Sequence, residues 1–222
     1  MMIQSLIFDF DGLILDTESP EFHCWQNIYR EYGFELPHDR WGSIIGGNGH
    51  SNFDAAEHLS LLTQGRLDSA ALRARNRLES DQLICTQGPL PGVLDYILEA
   101  KQLGLKLAIA SSSDLAWVQG HGRRIGVFDY FDHIITSDDV GLGRTKPNPD
   151  LFVLALSRLG VQKEAAIVFE DSPNGIKAAK RAGIFAVAVP NAATSALFFD
   201  GADLILESLA NLSLSQLLDK VK

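Results

Sequence analysis

The feature that most constrains the fold is the alternation of short apolar segments with helical segments after residue 91. The apolar segments are rich in Val, Ile, Leu, Phe and Ala, which is typical of strands buried on both faces of a parallel sheet. They lie at residues 105–110, 165–169, 185–189 and 203–206. The helical segments between them lie at residues 93–103, 115–125, 150–159 and 174–182. This order predicts an α/β fold with a doubly wound, Rossmann-like parallel sheet.

One more apolar strand, at residues 5–10, is separated from this array by roughly eighty residues that contain no convincing strand. Apolar residues recur there at helical spacing in residues 22–32, 53–62 and 70–84, and Gly33 ends the first of these segments. We therefore expect an all-helical cap domain at residues 17–88, inserted into a core domain made of residues 1–16 and 89–222.

The charge balance narrows the range of partners. The formal net charge of -9 argues against a nucleic-acid surface, which needs clustered basic residues. No apolar segment reaches the length of a transmembrane helix, and the first residues already resemble a buried strand rather than a signal peptide. We expect a cytoplasmic protein that binds neither nucleic acid nor membranes, while its oligomeric state is not predicted.

Two carboxylates, Asp9 and Asp11, follow the first strand in the sequence DFDGL. Side chains two residues apart on an extended strand point to the same side, and open α/β sheets bind ligands at the carboxyl ends of their strands. One carboxylate can attack phosphorus to give an aspartyl-phosphate, and the other can give a proton to the departing oxygen. Such a pair also occurs in ordinary turns, so its meaning depends on the rest of the chain.

Polar groups follow three further elements of the core. Ser111 begins a run of three serines after a strand, where a hydroxyl can bind a phosphate or simply cap a helix. Lys146 precedes a helix expected to be capped by Asn148, and it can neutralise a phosphate or nearby carboxylates. Glu170 and Asp171 end another strand and offer the oxygen ligands that Mg²⁺ prefers. Four such sites on one edge of a sheet predict a phosphate and metal site.

These motifs resemble, in order and spacing, the four motifs of the haloacid dehalogenase superfamily. The resemblance rests on DFDGL, the strand that ends in Ser111, Lys146 before PNPD, and EDSPNGIKAA, and it spans the whole chain. Within the superfamily the sequence is similar to the branch with a small helical cap, which contains β-phosphoglucomutase and many metabolite phosphatases.

The resemblance implies a role for each motif. Asp9 would be the nucleophile and Asp11 the general acid and base. Ser111 would bind the transferring phosphoryl group, and Lys146 would pair with Asp9 and with the phosphate.

The implied cofactor is Mg²⁺. Its ligands would be Asp9, the backbone carbonyl of Asp11, and Asp171, with Glu170 as a further ligand or an orienting residue. The implied activity is the Mg²⁺-dependent hydrolysis of a small phosphorylated metabolite, such as a sugar phosphate, through an aspartyl-phosphate.

The cap departs from the pattern of the mutases in this branch. Glu21 stands where they have a histidine, and the glycine-rich turn at residues 46–50 lacks their arginine. Phosphatase is therefore the preferred hypothesis, with a β-phosphoglucomutase-like mutase second and a non-catalytic binding or regulatory module third. The candidate substrate contacts are Glu21, Asn48, His50 and Ser112. One of Arg73, Arg75 and Arg77 on the third cap helix could also reach an anionic substrate.

Overall fold

The core of the protein is a six-stranded sheet, seen in a computed structural model that describes residues 2–37, 40–41 and 53–221. Its strands are β1 (Ser5–Phe8), β2 (Lys106–Ala110), β3 (His133–Ile135), β4 (Ala166–Glu170), β5 (Phe185–Ala188) and β6 (Leu204–Ile205). All neighbouring strands pair in parallel, in the order β3-β2-β1-β4-β5-β6. The first strand of the chain is thus central, which confirms the doubly wound α/β fold.

Helices cover both faces of this sheet. The longer ones are α4 (Val93–Gln102), α5 (Leu115–Arg124), α7 (Asp150–Leu159), α8 (Pro173–Arg181) and α9 (Leu214–Lys220), and α6 (Ser137–Val140) is a single turn. Alternate side chains of β1 enter different clusters, since Leu6 and Phe8 pack with α4, α5 and α9 while Ile7 packs with α7 and α8. Because the central strands are covered on both faces, their residues are mostly apolar, as the pattern indicated.

The part of the chain described between β1 and this array includes the helices α1 (Glu18–Glu31), α2 (Ala55–Leu62) and α3 (Ser69–Ile84). They share a separate apolar cluster in which Trp25, Ile28 and Tyr29 of α1 meet Leu59 of α2 and Leu72 of α3. The division of the chain into a cap at residues 17–88 and a core at residues 1–16 and 89–222 stays a prediction. In the part of the chain that is described, no helix has both the length and the apolarity to cross a bilayer.

The observed strands and helices differ in a few places from those that the sequence predicts. Strand β3 was not predicted, because its three residues are too few to show a period. Strand β1 ends at Phe8, so Asp9 and Asp11 lie in the turn that follows rather than on the strand itself. Helix α7 takes Pro149 as its N-cap instead of Asn148, whose side chain donates to the carbonyl of Gly143. None of these shifts moves a predicted site residue away from the carboxyl edge of the sheet.

Candidate active site

The predicted site residues meet at the carboxyl edge of the central strands. Asp9 and Asp11 follow β1, the serines 111–113 follow β2, and Glu170 ends β4 with Asp171 directly after it. Parallel strands present their carboxyl ends at one edge, so motifs far apart in sequence come together there. Lys146 reaches the same point from the segment that leads into α7.

Lys146 is the positive centre of this site. Its side chain is only 1% exposed, and its ammonium nitrogen lies 2.5 Å from Asp9 Oδ1 and 2.6 Å from Glu170 Oε1. Burial by itself lowers the pKa of the lysine, but the carboxylates of Asp9 and Glu170 outweigh that effect and raise it above its ordinary value. The lysine therefore stays charged and holds the two carboxylates in place.

Three buried carboxylates form a cluster around this lysine. One oxygen from each of Asp9, Glu170 and Asp171 lies within 4.8 Å of the others. When all three carboxylates are ionised, the cluster and the Lys146 ammonium together carry a formal charge of -3 + 1 = -2. Burial raises the pKa of Asp9 to about 8, and Glu170 beside it acts in the same direction. Burial also raises the pKa of Asp171 well above its ordinary value, and the charges of Asp9 and Glu170 act in the same direction.

This cluster fits a hard divalent cation. Among the described residues, Asp171 Oδ1 is buried without a hydrogen-bond partner, which is costly for an oxygen that no ion or water contacts. Clustered carboxylate oxygens are the donor set that Mg²⁺ and similar ions take. The residues present therefore match the expectation of a divalent metal site.

The backbone is shaped to bring these acids close together. At Gly12, where φ is +76°, an added Cβ would lie 2.2 Å from Asp171 Oδ2. At Gly175 it would lie 1.9 Å from the carboxyl of Glu170. Both distances are far below van der Waals contact, so each glycine leaves the space that a buried carboxylate of the cluster occupies.

Asn191 supports the same cluster and was not predicted from the sequence. Its side-chain amide donates to Asp171 Oδ2 at 2.8 Å and to the carbonyl of Gly12 at 3.0 Å. The signal for it was present, since it too is a polar residue shortly after a buried strand, β5. It ties the loop after β1 to the acid that follows β4.

The Asp11 carboxylate accepts hydrogen bonds from side chains outside the acidic cluster. Its Oδ1 accepts from the Thr17 hydroxyl at 3.1 Å and from the Trp117 indole at 2.7 Å. Its Oδ2 accepts from the hydroxyls of Ser111 at 3.2 Å and Ser113 at 2.7 Å. Asp11 and Ser111 thus lie together at the edge of the sheet where the sequence places both, and their catalytic roles stay predictions. Thr17, Ser113 and Trp117 were missed, because nothing local in the sequence marks them as partners of Asp11.

Ser112 lies between these two serines and faces the cleft. Its hydroxyl oxygen is buried and has no hydrogen-bond partner among the described residues. It is therefore available to a ligand, and its contact with a substrate stays a prediction. The other two serine hydroxyls are already bound to Asp11.

The site opens into a cleft of about 870 Å³ between the core and the helices α1 and α3. Those helices contribute Glu18, Glu21, Arg77 and Asp81 to its lining. Burial raises the pKa of Glu21, and Arg77 acts against that shift. Burial and the charge of Glu21 likewise raise the pKa of Glu18, an acid that the sequence did not single out.

The remaining predicted cap contacts have different outcomes. Arg73 pairs with Asp54 and Glu57, and Arg75 pairs with Glu31 and Glu79, so both are engaged within the helical region. Only Arg77 of the three lines the cleft. Asn48 and His50 lie outside the described residues, and their proposed contacts with a substrate stay predictions.

Comparison with known proteins agrees with this geometry. The family model for haloacid dehalogenase-like hydrolases matches residues 6–189. YhcW of Bacillus subtilis (strain 168), which carries a provisional phosphatase name, is 45% identical over 218 residues, covering 98% of this chain and 97% of that protein. Fructose-1-phosphate phosphatase YqaB of Escherichia coli (strain K12) is 34% identical over 186 residues, covering 83% and 95%.

A solved structure shares the whole fold. It is the crystal structure of a Thermotoga maritima protein that is provisionally named as a β-phosphoglucomutase. The two structures align with a TM-score of 0.74 and 27% sequence identity, over 99% of this chain and 100% of that one. With the family model matching most of the chain, this protein belongs to the haloacid dehalogenase-like hydrolase family and is an enzyme of the phosphoric monoester hydrolase class.

Proposed function

We propose that this protein is a Mg²⁺-dependent phosphatase that hydrolyses a small phosphorylated metabolite through an aspartyl-phosphate on Asp9. The observation that carries the proposal is the position of Asp9. Its buried carboxylate lies 2.5 Å from the Lys146 ammonium and shares a cluster with Glu170 and Asp171, at the floor of a cleft. A nucleophile held between a fixed cation and a metal-binding cluster suits phosphoryl transfer, in which positioning and charge neutralisation supply most of the catalysis.

The reaction proceeds in two displacements at phosphorus. A carboxylate oxygen of Asp9 forms a bond to phosphorus as the bond to the leaving oxygen breaks, and Asp11 gives that oxygen a proton. Water then attacks the phosphoenzyme, and Asp11 takes a proton from it. The bond between Asp9 and phosphorus breaks, and inorganic phosphate leaves.

Other groups at the strand ends bind the phosphoryl oxygens. Lys146 supplies positive charge, and the Ser112 hydroxyl would donate a hydrogen bond. The Ser111 hydroxyl, which donates to Asp11 Oδ2 in this structure, would turn to donate to the phosphoryl group. Mg²⁺ would be held by the carboxylates of Asp9 and Asp171 with the backbone carbonyl of Asp11, while Glu170 acts as a ligand or an orienting group. When bound there, it would offset the negative charge that the phosphoryl group shares with the carboxylates.

The substrate is proposed to be a phosphorylated sugar or a similar small metabolite. A cleft of about 870 Å³ is within the size range of small-molecule sites. A relative that is 34% identical is named as a fructose-1-phosphate phosphatase, which supports the class without fixing the compound. Glu21, Asn48 and His50 of the predicted cap would contact the leaving group. The cytoplasmic location also stays a prediction from the sequence.

The alternative function is that of a sugar phosphate mutase. It is favoured by the fold that this chain shares with a protein provisionally named as a β-phosphoglucomutase. A mutase must hold a second phosphate while the first reacts. The described part of the cleft wall formed by α1 and α3 instead presents Glu18, Glu21 and Asp81 around the single cation Arg77. This part of the wall offers a second phosphate only a cation that already pairs with Asp81, so hydrolysis is the better supported outcome.

One experiment separates these activities. The protein is screened against phosphorylated metabolites, including hexose 1- and 6-phosphates, with Mg²⁺ or with excess EDTA, and free phosphate is measured. We expect phosphate release that depends on Mg²⁺. β-Glucose 1-phosphate with a trace of the 1,6-bisphosphate is then assayed for glucose 6-phosphate. Accumulation of glucose 6-phosphate without phosphate release would establish the mutase, and full activity in EDTA would refute the metal assignment.

A further inference from the structure

The indole of Trp117 makes a contact that the proposed reaction does not yet use. Trp117 lies in the first turn of α5, lines the cleft, and donates its Nε1–H to Asp11 Oδ1 at 2.7 Å. This is among the shorter of the four hydrogen bonds that Asp11 accepts. Two neighbours fix the ring, since the guanidinium carbon of Arg77 lies 4.3 Å from its centre and the ring of His121 lies 4.2 Å away.

The four donors to Asp11 differ in chemistry. A hydroxyl can rotate to accept a hydrogen bond, so Thr17, Ser111 and Ser113 can each adapt to either form of the carboxyl group. The indole nitrogen can only donate. Trp117 therefore requires Oδ1 to remain an acceptor throughout the reaction, and this leaves Oδ2 as the oxygen that can carry a proton. Oδ2 is the atom that faces Ser111, at the end of β2.

We propose that Trp117 is a positioning residue for the general acid: it fixes the rotation of the Asp11 carboxyl group, so that Oδ2 presents its proton toward the leaving oxygen. This inference rests on the proposed function and adds a residue to it. Arg77 takes part indirectly, because it packs on the indole ring from the helix α3 and pairs with Asp81 one turn further on.

The activity test uses the leaving group. An alkyl phosphate, such as a sugar phosphate, needs a proton on its departing oxygen, whereas p-nitrophenyl phosphate releases a stable anion that needs little help. The ratio kcat/KM depends only on the steps up to formation of the phosphoenzyme. The rate at which that intermediate is hydrolysed therefore does not affect it. Trp117→Phe keeps an aromatic ring and removes the N–H donor. We expect kcat/KM to fall on the order of 10- to 100-fold for the sugar phosphate. For p-nitrophenyl phosphate we expect a fall below about 3-fold.

Other outcomes would overturn the proposal. Equal losses for both substrates would show that Trp117 is merely structural, and no loss for either would show that it does not position Asp11. The variant Asp11→Asn provides a background for a double-mutant cycle. If Trp117 acts through Asp11, adding Trp117→Phe to that background should cost little more.

A second measurement does not depend on activity. The chain has three tryptophans, so an ¹⁵N-labelled sample gives at most a few indole N–H resonances, and the one lost in Trp117→Phe is assigned to Trp117. We expect that resonance to move when Asp11→Asn removes the carboxylate acceptor. An unchanged resonance would refute the contact and the proposal with it. If the resonance moves but no phosphate ester is hydrolysed, the proposed function fails and the positioning role fails with it, while the contact stands.

Discussion

Replacing Lys146 with methionine tests the electrostatics of the site most directly. The substitution keeps the length and apolar body of the side chain and removes the ammonium. It takes away the partner 2.5 Å from Asp9 Oδ1 and 2.6 Å from Glu170 Oε1, both of which stay buried. Three neighbouring carboxylates then face each other with no buried cation from the described residues.

The expected cost follows from these distances. At an effective dielectric constant of about 20, each contact is worth ~6 kcal/mol of gross Coulomb energy, most of which offsets the desolvation of the charged groups. Removing one partner of a buried pair typically destabilises a protein by about 3–5 kcal/mol. For a chain of this size, 1 kcal/mol corresponds to about 2–4 °C, so Tm should fall by about 6–20 °C.

The assay is thermal unfolding in EDTA at about pH 9, above the value of about 8 to which burial raises the pKa of Asp9. Lys163→Met is the matched control, because the Lys163 side chain is 53% exposed and its carboxylate partner lies 3.9 Å away. That control should change stability by less than about 0.5 kcal/mol. Mg²⁺ should raise the Tm of Lys146→Met more than that of the wild type, since the cluster without its lysine carries one more negative charge.

A fall in Tm of less than about 3 °C for Lys146→Met would refute the reasoning. It would mean that the carboxylates take up protons or water at little cost, and that the lysine does not hold the cluster together. An equal effect of Mg²⁺ on both proteins would contradict the placement of the metal site beside this lysine.

Three more predictions concern the same acids. Asp9→Asn should fold normally but lack turnover, and beryllium fluoride should bind the wild type as a phosphoryl mimic. Turnover at the wild-type rate in Asp9→Asn would exclude Asp9 as the nucleophile. Burial raises the pKa of Asp9 from 3.8 to about 8, so in EDTA its contribution to stability is fully present below about pH 3.8 and is lost as pH rises through about 8. Thermal melts in EDTA should therefore show a lower Tm at about pH 9 than at about pH 6, with a smaller difference in Mg²⁺, and a Tm that rises over this interval would contradict the shift. Asn191→Ala should weaken Mg²⁺ binding on the order of 10- to 100-fold by calorimetry, because it frees Asp171 and Gly12 from their shared donor, and unchanged affinity would show that Asn191 does not orient the cluster.

The sequence determined the α/β fold and most of the site because both depend on local signals. Apolar strands alternating with helices leave parallel pairing as the arrangement that covers both faces of the sheet. Once the strands are parallel, Asp9, Ser111 and Asp171 must lie at one edge, whatever the chain does between them. Lys146 could be predicted for a similar reason, since it lies in the segment that leads into helix α7 at that edge.

Tertiary structure alone decided which side chains contact one another there. Trp117 and Asp11 are 106 residues apart, and Asn191 and Gly12 are 179 apart, so no local pattern links either pair. Their contacts depend on helix positions and loop paths, which are set by packing in the core. Arg77 lines the cleft, and Arg73 and Arg75 do not, for the same reason. These arginines are alike in sequence, and only the position of α3 against the core, with Trp117 beneath it, distinguishes them.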